Sequence, residues 1–147
     1  MKGILRWMKF NLVGFGGVLV QLGFLEAWLH FSLGNYLMGA MVAVEAALLH
    51  NFGWHCVYTW KDRPTRGLKS VLNRALRFQL SNGAVSLVGN LLLMPVLLHL
   101  LAPTFNIRES WLVLVANGIA ILVTSTANFL LGDRFVFANS PELQSPG

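Results

Sequence analysis

The chain has 147 residues, 55% hydrophobic and only 12% charged, with a net charge of +5 and a mean hydropathy of +0.60. A soluble domain of this size carries about 25% charged residues. Half the expected charge is missing, which excludes an ordinary water-soluble domain.

In chain order, Lys2, Arg6 and Lys9 first alternate with Ile4, Leu5 and Met8. An apolar span then runs over about 10–30; it is longer than the roughly 7–15-residue core of a signal peptide and no A-x-A site closes it. It reads as a retained anchor. A second span, about 36–57, carries His50, Asn51 and His55 in its final turns and stops on Lys61, Asp62 and Arg63. Next, Leu68, Val71, Leu72, Ala75 and Leu76 recur at helical spacing, with Arg66, Lys69, Arg74 and Arg77 mostly opposite, the pattern of a helix lying in a membrane interface. The simpler reading of this segment is anchoring by cytosolic positive charge; the functional one is a rim that collects phosphates. The third span, about 78–101, lies in a run without Asp, Glu, Lys or Arg, and so does the fourth, about 111–131. Each exceeds the roughly 20 residues that cross a bilayer as a helix. A polar tail, 138–147, follows and is expected to be disordered.

The spacing predicts an all-α membrane protein with four transmembrane helices. Ten of the 11 Lys and Arg residues fall on one side of that arrangement and only Arg108 on the other. The positive-inside rule therefore predicts cytoplasmic termini and a cytoplasmic central loop. Trp7 and Trp60 at one boundary, with Trp28 and Trp111 at the other, agree with interfacial belts. The positive charge is thus juxtamembrane, and no nucleic-acid partner is expected.

The chain also repeats itself. Lys9-Phe10 matches Arg77-Phe78 at an offset of 68, and Asn51-Phe52 matches Asn128-Phe129 at an offset of 77, which sets Trp60 opposite Phe137. Gly39, Ala43 and Ala47 step by four to Asn51; Ala116, Ala120 and Thr124 step by four to Asn128. Small residues let helices approach in lipid, and an amide on that seam can hydrogen-bond across it. The expectation is one domain, 1–137, built of two tandem helical hairpins, 1–63 and 64–137, related by an axis along the membrane normal.

Gln21, Glu45, His50, Asn51, Asn90, Asn117 and Asn128 all lie within spans. A carboxyl at depth costs about 2.5 kcal/mol or more and marks a pathway, a proton site or a partner contact. Glu45 also reads as a protonated acid hydrogen-bonded inside the bundle, or as lumen-facing with no role. His50 and His55 read as structural or as functional. The single Cys56 excludes an internal disulfide, and no Cys/His/carboxylate set has metal-ligand spacing. No P-loop, dinucleotide fingerprint or G-x-S-x-G elbow is present. No enzymatic activity, metal or cofactor is expected.

The basic-Phe pairs Lys9-Phe10 and Arg77-Phe78, with the endings LLHNFGWHCVYTWKDR and STANFLLGDRFVF, resemble the GtrA-like family of small four-helix membrane proteins. Asn128-Phe129 leading to Asp133-Arg134-Phe135-Val136-Phe137 is the strongest motif. In the first ending Val57 stands where the family has a basic residue, so the two halves are not equivalent. The resemblance implies translocation of a polyprenyl-phosphate-linked sugar across the cytoplasmic membrane for cell-surface polysaccharide synthesis or glycosylation. On that reading Arg63, Arg74, Arg77 and Arg134 form the phosphate rim, and Gln21, Glu45, Asn51, His55, Asn90 and Asn128 line the substrate pathway. Expected partners are the lipid-linked sugar, anionic membrane lipids, a membrane glycosyltransferase and a second copy in a homodimer. The alternatives are an accessory subunit of a membrane glycosyltransferase and, further off, a small multidrug-type proton-coupled exporter using Glu45.

Overall fold

The computed structural model describes residues 2–31, 36–65, 67–101, 103 and 109–138. Within them every regular element is helical. The expected disordered tail lies outside the described residues apart from Ala138. The chain divides into two compact units, Met1–Val71 and Leu72–Gly147.

In the first unit α1 (Lys2–His30) packs on α2 (Tyr36–Trp54). Trp28 meets Gly39, Gly17 meets Asn51 and Phe10 meets His55, so the two helices run antiparallel. The contact is made by small residues: Val13 and Gly17 are buried on α1, and Gly39, Ala43 and Ala47 on α2. The outward faces of both helices stay apolar, with Phe15, Leu19, Leu22, Met41 and Leu49 exposed. Such a surface suits lipid, which offers helices no hydrophobic drive to associate and leaves close packing to decide.

α2 passes into a five-residue π turn, His55–Thr59, which ends when the Trp60 N–H donates to the His55 carbonyl at 2.8 Å. Gly67, at φ 83°, supplies a left-handed step that a Cβ would resist, and the helix that follows begins with the Val71 N–H on the Gly67 carbonyl.

The second unit holds most of α3 (Leu68–Val88), a π turn (Gly89–Leu93), α4 (Met94–Leu101), α5 (Glu109–Leu131) and a closing π turn (Gly132–Val136). Residues 68–77 do not form a separate surface helix: they are the first turns of α3, continuous with the apolar run behind them. Nothing between Leu68 and Leu80 breaks a helix, so the basic face and the apolar face share one axis. The break comes later. Pro95 has no N–H for the Leu91 carbonyl and its ring crowds that position, and the widened turn at Gly89–Leu93 absorbs the disruption. On α5, Ala116 and Ala120 are buried. Among the described residues, two helices, Gly3–His30 and Val115–Val136, meet the length and hydropathy required to cross a membrane.

Candidate functional site

Each unit ends in the same construction. In the first, Phe10 stacks on His55 with ring centroids 4.7 Å apart and planes 5° from parallel. Trp60 closes edge-on against both, at 6.0 Å from Phe10 and 5.1 Å from His55. The His55 Nδ1 and Thr59 Oγ1 share a buried hydrogen bond of 3.0 Å whose direction follows the imidazole tautomer. In the second, Phe78 meets Phe137 edge-on at 6.3 Å, and the Phe137 N–H donates to the Gly132 carbonyl at 2.8 Å. Phe10, Phe78, Trp60 and Phe137 are all buried. The aromatic residue after each π turn therefore plugs the helix end, and the backbone bond across the turn holds it there.

A cation lies over an aromatic ring at the same register in both units. Lys9 Nζ sits 4.7 Å from the Tyr58 ring centre, and the Arg77 guanidinium sits 5.3 Å from that of Phe135. Lys9 and Arg77 are 68 residues apart, Tyr58 and Phe135 are 77 apart, and these are the two repeat offsets. A cation held over a ring keeps its charge while losing freedom to wander. One turn earlier the units diverge. Arg6 forms a 2.6 Å ion pair with Asp62, whereas Arg74, its counterpart, is buried with its guanidinium 5.2 Å over Phe137.

The amides of the two seams also differ. Asn51 is half-buried against α1, and a Cβ placed on Gly17 would sit 2.7 Å from Asn51 Cγ. Only glycine leaves room for that amide. The His50 imidazole lies with Nδ1 3.2 Å from Asn51 Oδ1, donating to it. Asn128 has its Oδ1 buried with no hydrogen-bond partner among the described residues. Other polar side chains of the second unit behave otherwise: Thr124 and Thr126 donate to the Ala120 and Leu122 carbonyls, and Asn82 donates to that of Phe78. Back-bonding of this kind is how a helix in an apolar setting satisfies a polar group internally.

Of the other pathway residues, Gln21 is half-buried on α1, and Glu45 stands on an exposed face of α2 away from Ala43 and Ala47. Asn90 lies in the π turn of the second unit, and its side chain is outside the described residues. Of the rim residues, Arg74 is buried, Arg63 is half-buried, and Arg77 and Arg134 are exposed. Thus His55 and Asn51 are built into the first unit's packing, while Arg74 and Arg77 are fixed on rings in the second. Sequence reasoning passed over Gly17 and Tyr58, and it gave Arg6 and the Phe135 ring no place in the site. The two repeat offsets would have found the rings and Arg6; nothing local marks Gly17.

Residues 9–137 match the family described as the GtrA/DPMS transmembrane domain. A stretch of 83 residues is 42% identical to the "Dolichol-phosphate mannosyltransferase" of Pyrococcus furiosus, covering 54% of this chain and 22% of that protein. The chain thus spans about a fifth of the length of that curated relative.

Proposed function

The chain belongs to the GtrA/DPMS transmembrane-domain family, and from that premise we propose that it is a non-catalytic membrane protein that moves a polyprenyl-phosphate-linked sugar across the cytoplasmic membrane. The product would serve cell-surface polysaccharide synthesis or glycosylation. In this reading the chain crosses the membrane four times as two tandem hairpins, with both termini cytoplasmic, as the ten-to-one distribution of Lys and Arg favours. It works as a homodimer, because four helices enclose little volume.

The observation that carries the reading is the recurrence of a cation over an aromatic ring at the end of both hairpins, Lys9–Tyr58 and Arg77–Phe135. Under this topology both lie at the cytosolic face. Each basic residue there attracts an anionic headgroup by about 1 kcal/mol. A lipid phosphate arriving from the cytosol would meet fixed charge at two equivalent places, and Arg63, Arg74 and Arg134 complete the rim. Asn51, Gln21, Glu45, His55, Asn90 and Asn128 would offer the sugar polar partners across the membrane. The isoprenoid tail needs no protein channel, since lipid accepts it.

A second reading is favoured by the match to 22% of a mannosyltransferase. A domain that accounts for a minor part of a transferase would serve here as an accessory subunit that docks a separate membrane glycosyltransferase.

Purified protein in liposomes loaded with polyprenyl-phosphate sugar separates the two. A membrane-impermeant reagent reports how fast the sugar appears on the opposite face. Exchange above empty liposomes that Arg77→Gln slows supports translocation. No exchange with any of several sugars, together with co-purification of a glycosyltransferase that rim variants abolish, moves the assignment to the accessory role.

A further inference from the structure

An exposed apolar stripe recurs at the repeat offset. On α1, Ile4, Met8 and Leu12 step by four residues; on α3, Leu72, Leu76 and Leu80 do the same 68 residues later. Each of these side chains is more than half exposed. At about 100° per residue they lie on the side of their helix opposite Phe10 and Phe78, the rings that the units bury. The stripe is therefore no part of either unit's own packing, yet it appears in both.

Under the topology proposed above, lipid covers only the inner end of it. A helix lying in the interface would turn this face into the acyl region. α1 and α3 instead run unbroken through the stripe into the apolar run behind it, so the face stands along the helix axis. At 1.5 Å per residue, Ile4 and Leu72 stand about 9 Å beyond Phe10 and Phe78, where the spans begin. The headgroup layer on one side of a bilayer is about 5–8 Å thick. The outermost apolar side chains thus reach the far limit of that layer, where they remain in water unless a protein surface covers them.

Charge selects the cover. Lys9 follows Met8 and Arg77 follows Leu76 in the chain, and each cation is fixed over a ring, Tyr58 or Phe135. In the first unit a depression of about 540 Å³, lined in part by Leu5, Met8, Lys9, Leu12 and Tyr58, follows the stripe. A second copy of the chain would bring the same faces together. Every such pairing, Lys9 on Lys9, Arg77 on Arg77 or Lys9 on Arg77, sets like charges against each other. A helix with apolar residues at matching steps and acids beside them fills the face and meets both cations without that repulsion.

We propose that these two faces are docking sites for a membrane-bound partner protein that presents acidic amphipathic helices at the cytosolic surface, one helix to each unit. The inference rests on the cytosolic placement proposed above. It goes beyond both functional readings by naming a surface, its repetition and the charge of its occupant.

The full chain in phosphatidylcholine nanodiscs is titrated with a synthetic amphipathic peptide, leucine at every fourth position flanked by glutamate, with empty nanodiscs as the baseline. Fluorescence anisotropy reads the affinity and native mass spectrometry counts the peptides bound. Two peptides should bind per chain, and Met8→Gln and Leu76→Gln should each remove one. A peptide with lysine in place of glutamate should bind about tenfold more weakly, and so should the glutamate peptide to the double variant Lys9→Gln/Arg77→Gln. Leu29→Gln, at the other end of α1, should leave binding unchanged. Met8 and Leu76 are exposed, so their glutamine variants keep the packing, and Ile4→Gln and Leu72→Gln repeat the test one turn away. Binding no greater than to empty nanodiscs, equal binding of the two peptides, or a single peptide per chain overturns the proposal. So does a change of oligomeric state in Met8→Gln with peptide binding intact, which would assign the face to a second copy. A spin label at Leu72→Cys, on a Cys56→Ser background, that is relaxed by oxygen and not by an aqueous nickel chelate would put the stripe in lipid and overturn it as well. Sugar exchange in liposomes that persists after Met8→Gln and Leu76→Gln have lost the peptide supports docking apart from transport, so failure of either claim is read separately.

Discussion

Phe10 on α1 and His55 at the start of the first π turn lie face to face, 4.7 Å between ring centroids and 5° from parallel. Both are buried, and Trp60 seals the pair edge-on. Aromatic pairs of this kind contribute about 0.5–1.5 kcal/mol beyond the area they bury. A double-mutant cycle over Phe10→Leu and His55→Leu should show a coupling of that size in detergent unfolding. Additive losses would mean that the stack is incidental to packing around Trp60.

Gly17 and Asn51 make the sharpest steric prediction. A Cβ at Gly17 would press on the Asn51 amide, whereas a Cβ at Gly14 would meet nothing within 4 Å. Gly17→Ala should therefore cost about 1–3 kcal/mol, as overpacking does. Gly14→Ala on the same helix should be neutral or slightly stabilising by propensity. Asn51→Ala in the Gly17→Ala background should recover part of the loss, and thermal melts of the three variants check it.

Much of this was legible because it is periodic. Gly39, Ala43 and Ala47 predict a seam by their spacing, and they are buried. The π turns His55–Thr59 and Gly132–Val136 lie 77 residues apart, the offset already visible in Asn51 and Asn128. Hydropathy could not separate α3 from α4, since an apolar run reports no change of axis; the signal was Pro95, whose effect falls four residues back at Leu91. Gly17 was invisible for a different reason. A glycine in an apolar helix has no polar mark, and its role exists only once Asn51 is brought against it. Glu45 was conspicuous in sequence by its charge, yet it stands off the Ala43–Ala47 seam of its own unit.

The cation–ring pairs should act on the lipid and hardly on stability. Arg77→Gln removes one exposed charge from over Phe135. At about 1 kcal/mol per basic residue near an anionic headgroup, the concentration of lipid-linked sugar giving half-maximal exchange should rise about fivefold. Arg77→Lys should keep most of the effect, and raising the salt should shrink the gap between wild type and Arg77→Gln, because exposed charges are screened. An unchanged concentration dependence in Arg77→Gln would remove the rim from the mechanism.

Asn51 and Asn128 occupy equivalent seams with unequal satisfaction, so the two alanine variants should fail differently. Asn51 accepts from His50 on its own helix and fills the space left by Gly17 on α1; a hydrogen bond of this kind contributes about 0.5–1.5 kcal/mol. Asn51→Ala should therefore lower stability by about that amount or more. Asn128 Oδ1 is buried without a hydrogen-bond partner among the described residues, an arrangement that costs free energy until a donor arrives. Removing it should leave stability unchanged or slightly raised. If a sugar hydroxyl is that donor, Asn128→Ala should slow exchange in liposomes while its melting temperature stays at or above that of wild type. A loss of stability in Asn128→Ala matching that in Asn51→Ala would mean that the second amide already has its partner within the fold, and a sugar hydroxyl would not be its donor.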